Sequence, residues 1–339
     1  MTLDKLAEIL GLSKTTVSRA LAGYGDVSPK TRERVERAAQ EHGYRPNPLA
    51  QRLRSGRLDT VGLIVPSDLR AFGDAFFVDL VTSLTGALSE RGLDLLIHAA
   101  DRGAPELAAL QRLVDGKKVD GMIVVRTLRQ DPRVSYLLDR GVPLVCYGRT
   151  EERRPYAFVD MDCEAGGHQA VAHLLDLGHR RIAFVGPHSA NLSYAHLRQK
   201  GYRAALEAAG LKAPTELTVE GEGGQAFGEA AMDRLLALPE PPSGVICATD
   251  LEAFGALRAI DRAGLAAGRD VSVIGHDDLP EAALTKPPLT SLHQPHARVG
   301  RRLAEILAEL IEGAAPAALQ EVWQVNLVRR ATTGPIAER

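Results

Sequence analysis

Cysteine is scarce: Cys146, Cys163 and Cys247 are the only three in 339 residues, odd in number and far apart. Cys146 and Cys247 sit inside apolar runs that read as buried strands. No disulfide framework is expected, and a reducing cytoplasm is the simplest setting. The N-terminus has no apolar run preceded by basic residues, so no signal peptide is expected. Nowhere do about 18 apolar residues follow one another, which argues against a transmembrane helix and a membrane partner. No serine stands in a nucleophile elbow, and no His/Cys/Asp constellation suggests catalysis. Gly221-Glu222-Gly223-Gly224 is a glycine loop without the strand and Lys–Ser/Thr setting that nucleotide phosphates need. His293-Gln294-Pro295-His296 has a metal-like spacing, but its proline opposes a helical pair and no Cys or Glu completes the set. An enzyme, a metal and a cofactor are therefore not expected.

What is present begins with a charge asymmetry. The net charge is −2, yet residues 1–57 hold 11 Lys/Arg against 6 Asp/Glu, or +5, leaving −7 for the remainder. A basic head on an acidic body suggests that only the head meets a polyanion. Within it, Leu3, Leu6, Ala7 and Leu10 share one face of a helix that Gly11 interrupts. Ser13 can cap a second short helix that buries Val17 and Leu21 and leaves Lys14, Thr15, Ser18 and Arg19 outside. Two helices joined at a glycine turn read as a helix-turn-helix, whose outward donors suit a DNA groove; an ordinary helical corner is the bland alternative. Ser28-Pro29 opens a third helix to about His42, where Ser28 and Thr31 either contact phosphate or simply cap. Beyond it, residues 45–58 carry Arg45, Arg52, Arg54 and Arg57 but also place Leu49, Ala50 and Leu53 on one side of a single turn. Such a segment is either a basic linker or a helix that forms on DNA, with Leu53 as a minor-groove wedge.

From residue 59 onward, apolar runs alternate with helical patterns, which argues for parallel sheets covered on both faces. Two similar blocks are expected, about 61–160 plus 291–318 and 161–290 plus 319–335, with a ligand cleft at the strand ends. Polar or aromatic residues follow those ends: Asp74, Phe76 and Phe77, Arg126, Arg149, Asp250, His276 and Asp277, with Arg198 in the turn and helix after 181–186. Carboxylates and arginines converging with an aromatic face suit a polyol. Each has a structural alternative: Asp74 as a helix cap, one phenylalanine as core, Arg126 and Arg149 as ion-pair partners of Asp131 or Glu151. Trp323 lies in Glu321–Val328, an alternating tail that reads as one strand.

The motifs TTVSRAL, DVSPKTRERV, GYRPNPLAQRL and TVGLIVP, long and in order, resemble the lac repressor (LacI) family of bacterial transcription regulators. The resemblance runs through essentially the whole chain. It implies a small all-α helix-turn-helix head (1–44), a hinge (45–58), and an α/β body (59–339) of two doubly wound parallel-sheet subdomains, periplasmic-binding-protein-like. Lys14, Thr15 and Arg19 match base-reading positions. Thr16, Ser28, Thr31 and Asn47 match backbone or hinge positions, and Leu53 the intercalating leucine; Ala50, on the same side of the hinge turn as Leu53, is counted with the DNA-binding residues. In the body, Phe77, Arg198, Asp250 and Asp277 match effector-pocket positions, while Asp74, Arg126 and His276 rest on strand-end placement. The implied protein is a homodimeric repressor of carbohydrate-utilisation genes, released from operator DNA by a sugar. A co-repressor-dependent regulator with a purine-like ligand and a sugar-binding receptor are the alternatives. No leucine heptads follow Thr332, so a tetramerising coiled coil is not expected.

Overall fold

A computed structural model describes residues 1–21, 23–44, 57–66, 75–100, 105–188 and 190–336. The chain divides into two compact units, Met1–Asp59 and Thr60–Arg339. In the first, α1 (Leu3–Leu10), α2 (Lys14–Leu21) and α3 (Pro29–Glu41) surround Leu6, Ala7, Leu10, Val17, Ala20, Val35, Ala38 and Ala39. Their ends follow local chemistry. Gly11 closes α1 at φ +60°, Ser13 Oγ accepts from Thr16 N at 3.0 Å, and Ser28 Oγ accepts from Thr31 N at 3.2 Å. Leu21 is only half-buried; Ala20 takes the inner position beside Val17.

The second unit is built from two lobes, each around a six-stranded sheet. The first sheet runs β11 (Gln320–Trp323), β5 (Ala157–Met161), β4 (Leu144–Tyr147), β3 (Gly121–Val124), β1 (Thr60–Val65), β2 (Asp94–Ala99). All its neighbours are parallel. Its strands are continuous apolar runs because both faces are covered. Leu63, Ile123 and Val145 pack with α4 (Ala75–Ser89) and α11 (His296–Ile311). Ile64, Met122 and Cys146 point the other way, toward α5 (Glu106–Asp115) and α6 (Pro132–Asp139).

The second sheet runs β12 (Asn326–Val328), β10 (Thr290–His293), β9 (Ser272–Asp277), β8 (Gly244–Cys247), β6 (Ile182–Pro187), β7 (Thr218–Gly221). Phe184, Ile246 and Ile274 face α7 (Cys163–Asp176) and α8 (Ser193–Ala208), whereas Val185, Val245 and Val273 face α9 (Gly224–Leu236) and α10 (Asp250–Arg262). Both sheets are thus doubly wound, with one departure: the edge strand β12 pairs antiparallel to β10.

Two sequence expectations are corrected. The tail 321–328 is two strands in different sheets, so the chain passes between the lobes three times, after Met161, His293 and Trp323. Strand β10 therefore belongs with the second lobe and β11 with the first, the reverse of the partition at 291 and 319. Hydrophobic pattern carries no information about which sheet a short strand joins; that is decided by long-range pairing.

Candidate functional site

The head presents one polar face. Lys14 and Thr15 are exposed on α2, and Ser18 and Arg19 lie about one turn further on the same side, away from Val17 and Ala20. Lys14 Nζ pairs with Asp4 at 2.8 Å, and Arg19 Nη2 with Asp26 at 2.6 Å while stacking 4.8 Å from the Tyr24 ring. These pairs are solvent-exposed and worth at most about 1 kcal/mol each, so a base edge or phosphate competes with them easily. Thr16, Ser28 and Thr31 are engaged in caps: the Ser13 Oγ–Thr16 Oγ1 and Ser28 Oγ–Thr31 Oγ1 pairs are both 2.8 Å. The backbone N–H groups of Thr16 and Thr31 are taken up by the same caps. Asn47, Ala50 and Leu53 lie outside the described residues, as does Asp74.

In the body, a cleft lies between the lobes, with about 670 Å³ of space between its walls, open solvent included. Its walls are the strand ends that the sequence singles out, though with different side chains. Arg198 is its centre: 6% exposed, it donates from Nη1 to Ala248 O and from Nη2 to Asp277 Oδ1 at 3.3 Å, and lies 4.8 Å from the Tyr194 ring. Burial works against the Arg198 cation, but Cys163, Asp277 and Tyr194 around it outweigh that and raise its pKa. Burial likewise disfavours the Asp277 carboxylate, yet the Arg198 cation beside it holds its pKa below the usual range. Asp277 sits at φ +114°, a backbone conformation costing of order 1–3 kcal/mol for a residue with a side chain.

Gln294 organises the rest. Tyr147 Oη donates to its Oε1 at 2.6 Å, and its Nε2 donates to Asp277 Oδ1 at 2.6 Å and His276 Nδ1 at 3.0 Å. Burial, with the Arg198 cation nearby, pushes the His276 imidazole down to about 4, so it is neutral. Phe76 packs edge-on to His296 at 4.5 Å and tilted against Tyr147 at 5.9 Å, making an aromatic wall. Arg126, exposed and at φ +50°, reaches the mouth, while Asp160 is held by Arg149 at 2.5 Å. Arg198 Nε, His276 Nε2 and His296 Nδ1 are buried without a hydrogen-bond partner. Of these only Arg198 belongs to the cleft lining, and its open Nε–H is the buried donor that a polar ligand there would meet.

Of the sequence candidates, Arg126, Arg198 and Asp277 line this cleft together. Phe77 does not: it is buried in the core, and its neighbour Phe76 faces the cleft, a helix register that two adjacent phenylalanines leave undecided. Asp250 is fully buried behind the wall, accepting from Leu279 N at 2.7 Å and Ser291 Oγ at 2.5 Å; Thr249 lines the cleft in its place. His276 is one layer back, acting through Gln294. Arg149 pairs with Asp160, and Glu151 with Arg129, not with Arg126. Tyr147, Tyr194 and Gln294 were missed. Tyr147 ends a strand and Gln294 follows one, so strand-end placement could have found both; Gln294 sits inside the stretch dismissed as a metal motif. Among the described residues no cluster of His, Cys, Asp or Glu could hold a metal, and no helix is long and apolar enough to cross a membrane.

Residues 2–47 match the model of bacterial regulatory proteins of the lacI family, and residues 171–333 that of a periplasmic binding protein-like domain. The HTH-type transcriptional regulator RafR of Escherichia coli is 36% identical over 325 residues, 95% of this chain and 96% of RafR. Among solved structures, a complex of the transcriptional regulator CelR with cellobiose aligns at 35% identity and TM-score 0.75, covering 98% of this chain and 99% of that one. The lac repressor dimer bound to operator and the anti-inducer ONPF aligns at 28% identity and TM-score 0.84, with 98% and 99% covered. The chain belongs to the lacI family of DNA-binding transcription regulators.

Proposed function

We propose that this regulator is a cytoplasmic homodimeric repressor of carbohydrate-utilisation genes, released from its operator when a sugar occupies the cleft. The observation that carries the sugar is the Arg198–Asp277 pair, tied to Gln294 and flanked by Phe76, Tyr147 and Tyr194. A guanidinium and a carboxylate side by side take adjacent hydroxyls as donor and acceptor, aromatic faces cover the C–H side of a ring, and the pair adds no net charge. CelR, seen with cellobiose, lends support, and the lac repressor dimer on its operator is the basis for two heads on a two-fold axis. Lys14, Thr15 and Arg19 would read bases, Thr16, Ser28, Thr31, Asn47 and Ala50 would position the backbone and hinge, and Leu53 would part a base step. Closure of the cleft would rotate the first lobes across the dimer and unseat hinges too short to be helical alone. A coupling of about 3 kcal/mol lowers operator affinity roughly 150-fold.

Gel shifts on the chain's own promoter region, with cellobiose, raffinose, maltose, lactose and ribose as probes, test this. Release by one sugar is expected. Tightening would replace induction by co-repression, and binding no better than to random duplex would overturn the regulator mechanism itself.

A further inference from the structure

Away from the three crossings the lobes also meet main chain to main chain. Leu128, in the loop after β3, and Leu192, just before α8, form an antiparallel bridge. Ser193 N donates to Thr127 O at 3.0 Å, and Arg129 N to Asn191 O at 2.9 Å. Each half is rooted in its own lobe. Leu128 N donates to Asp131 Oδ2 at 3.0 Å, and Asp131 is locked by the buried Arg133, whose Nη2 also reaches Val125 O and Arg126 O, both at 3.2 Å. On the other side Leu192 N and Asn191 N lie 3.5 and 3.4 Å from His188 O, and His188 N donates to Gly221 O at 3.1 Å.

The same two segments carry the cleft walls. Arg126 and Thr127 immediately precede the bridge on one side, and Tyr194 and Arg198 follow it on α8 on the other. Any rotation that parts the lobes must break these two hydrogen bonds or drag the walls with them. We infer that the Thr127–Arg129 and Asn191–Ser193 pairing is the latch of the cleft. Its closed state sets the spacing of Arg126 and Tyr194 that the effector needs, and its opening and closing is what the operator-binding heads sense. This deepens the sugar-responsive reading and rests on it for the effector's identity, though not for the coupling.

The geometry supplies two opposed variants of the full-length protein. Ser193 is the first residue of α8, where proline is well tolerated, and Leu192 has φ −84° and ψ 127°, the extended conformation that precedes proline. Ser193→Pro thus deletes the bridging N–H with the helix intact, and Ser193→Ala, which keeps it, is the control. Leu128 and Leu192 form a non-hydrogen-bonded pair, whose usual Cα spacing of about 4.5 Å lies within disulfide reach. Leu128→Cys with Leu192→Cys can therefore be locked by oxidation and released by reductant, while native Cys146, Cys163 and Cys247 are buried.

Operator affinity is measured first without any sugar. The locked and reduced forms of the double-cysteine protein should differ at least tenfold, and Ser193→Pro should shift affinity the opposite way from locking. Equal affinities within twofold for locked and reduced protein would overturn the latch. Cellobiose and the other probe sugars are then titrated by calorimetry. For whichever sugar binds the wild type, Ser193→Pro should weaken it about three- to tenfold, the scale of one hydrogen bond, and Ser193→Ala should not. Unchanged sugar affinity in Ser193→Pro would also overturn the proposal. A locked–reduced difference with no response to any sugar leaves the latch standing and refutes the sugar.

Discussion

Arg198 is held by Ala248 O, Asp277 and the Tyr194 ring, so its head is already aimed before a ligand hydroxyl reaches it. Arg198→Ala strips Asp277 of its cation inside the protein, which should cost about 3 kcal/mol in urea unfolding and abolish sugar-dependent release from DNA. Arg19→Ala should instead leave stability unchanged and erase the preference for one operator over random duplex. The residual binding should keep a steep salt dependence, because phosphate contacts remain; a preserved preference would exclude Arg19 from base reading. His276 makes a pH prediction. Its folded pKa, about 4, lies below the unfolded value near 6.5, so the unfolded chain binds more protons between them. Stability is then fully present above about pH 6.5 and falls as pH drops toward 4, by about 2 kcal/mol between pH 7 and 5 from this one group. His276→Asn should flatten that part of the unfolding free-energy profile, with the shallower contributions of His173, His179 and His296 remaining. Arg126 and Asp277 were legible because charged residues at the ends of apolar strands stand where such a sheet meets its ligand, and Arg198, six residues into its helix, through the family resemblance. Phe76 over Phe77, and Thr249 over Asp250, were not, since a shift of one residue changes which side chain faces the cleft without changing the pattern.

Helix α8 joins the latch to the pocket, and its placement depends on a close crossing with α7. A Cβ at Gly201 would fall 2.1 Å from Glu164 O, a backbone atom with no room to yield. Gly201→Ala should therefore force the helices apart, cost about 1–3 kcal/mol in thermal or urea unfolding, and weaken sugar binding through the displaced Arg198. Normal affinity in that variant would show that α8 tolerates the shift. At this scale the sequence reads well where elements are long: every helix of the body before α11 and most central strands coincide with their apolar patterns, because a strand covered on both faces has to be apolar throughout. It reads poorly at β5, β7 and β10, where Asp160, Glu220, and Thr290 with Ser291 interrupt the apolar run. The tail failed for a different reason. Glu321–Val328 alternates as one strand would, but Gln324 and Val325 carry it from one sheet to the other.

For the whole molecule, the two compact units give a direct test of where the sugar acts. A fragment of about residues 58–339 should still be stabilised by the sugar that releases the full chain, by about 2.7 kcal/mol at 100 times its Kd, while showing no affinity for operator. Loss of that thermal shift would mean that the head contributes to effector binding.

Strands β11 and β12 occupy the outer edge of one sheet each, and both come from the segment 320–328. During synthesis, then, the first sheet is completed only at residue 323 and the second only at 328, so up to Gln320 a nascent chain holds two incomplete sheets rather than one finished lobe and one pending. A premature stop codon anywhere before Gln320 would damage both lobes at once. Such truncations should be cleared by cellular proteases as whole proteins instead of persisting as half-working fragments.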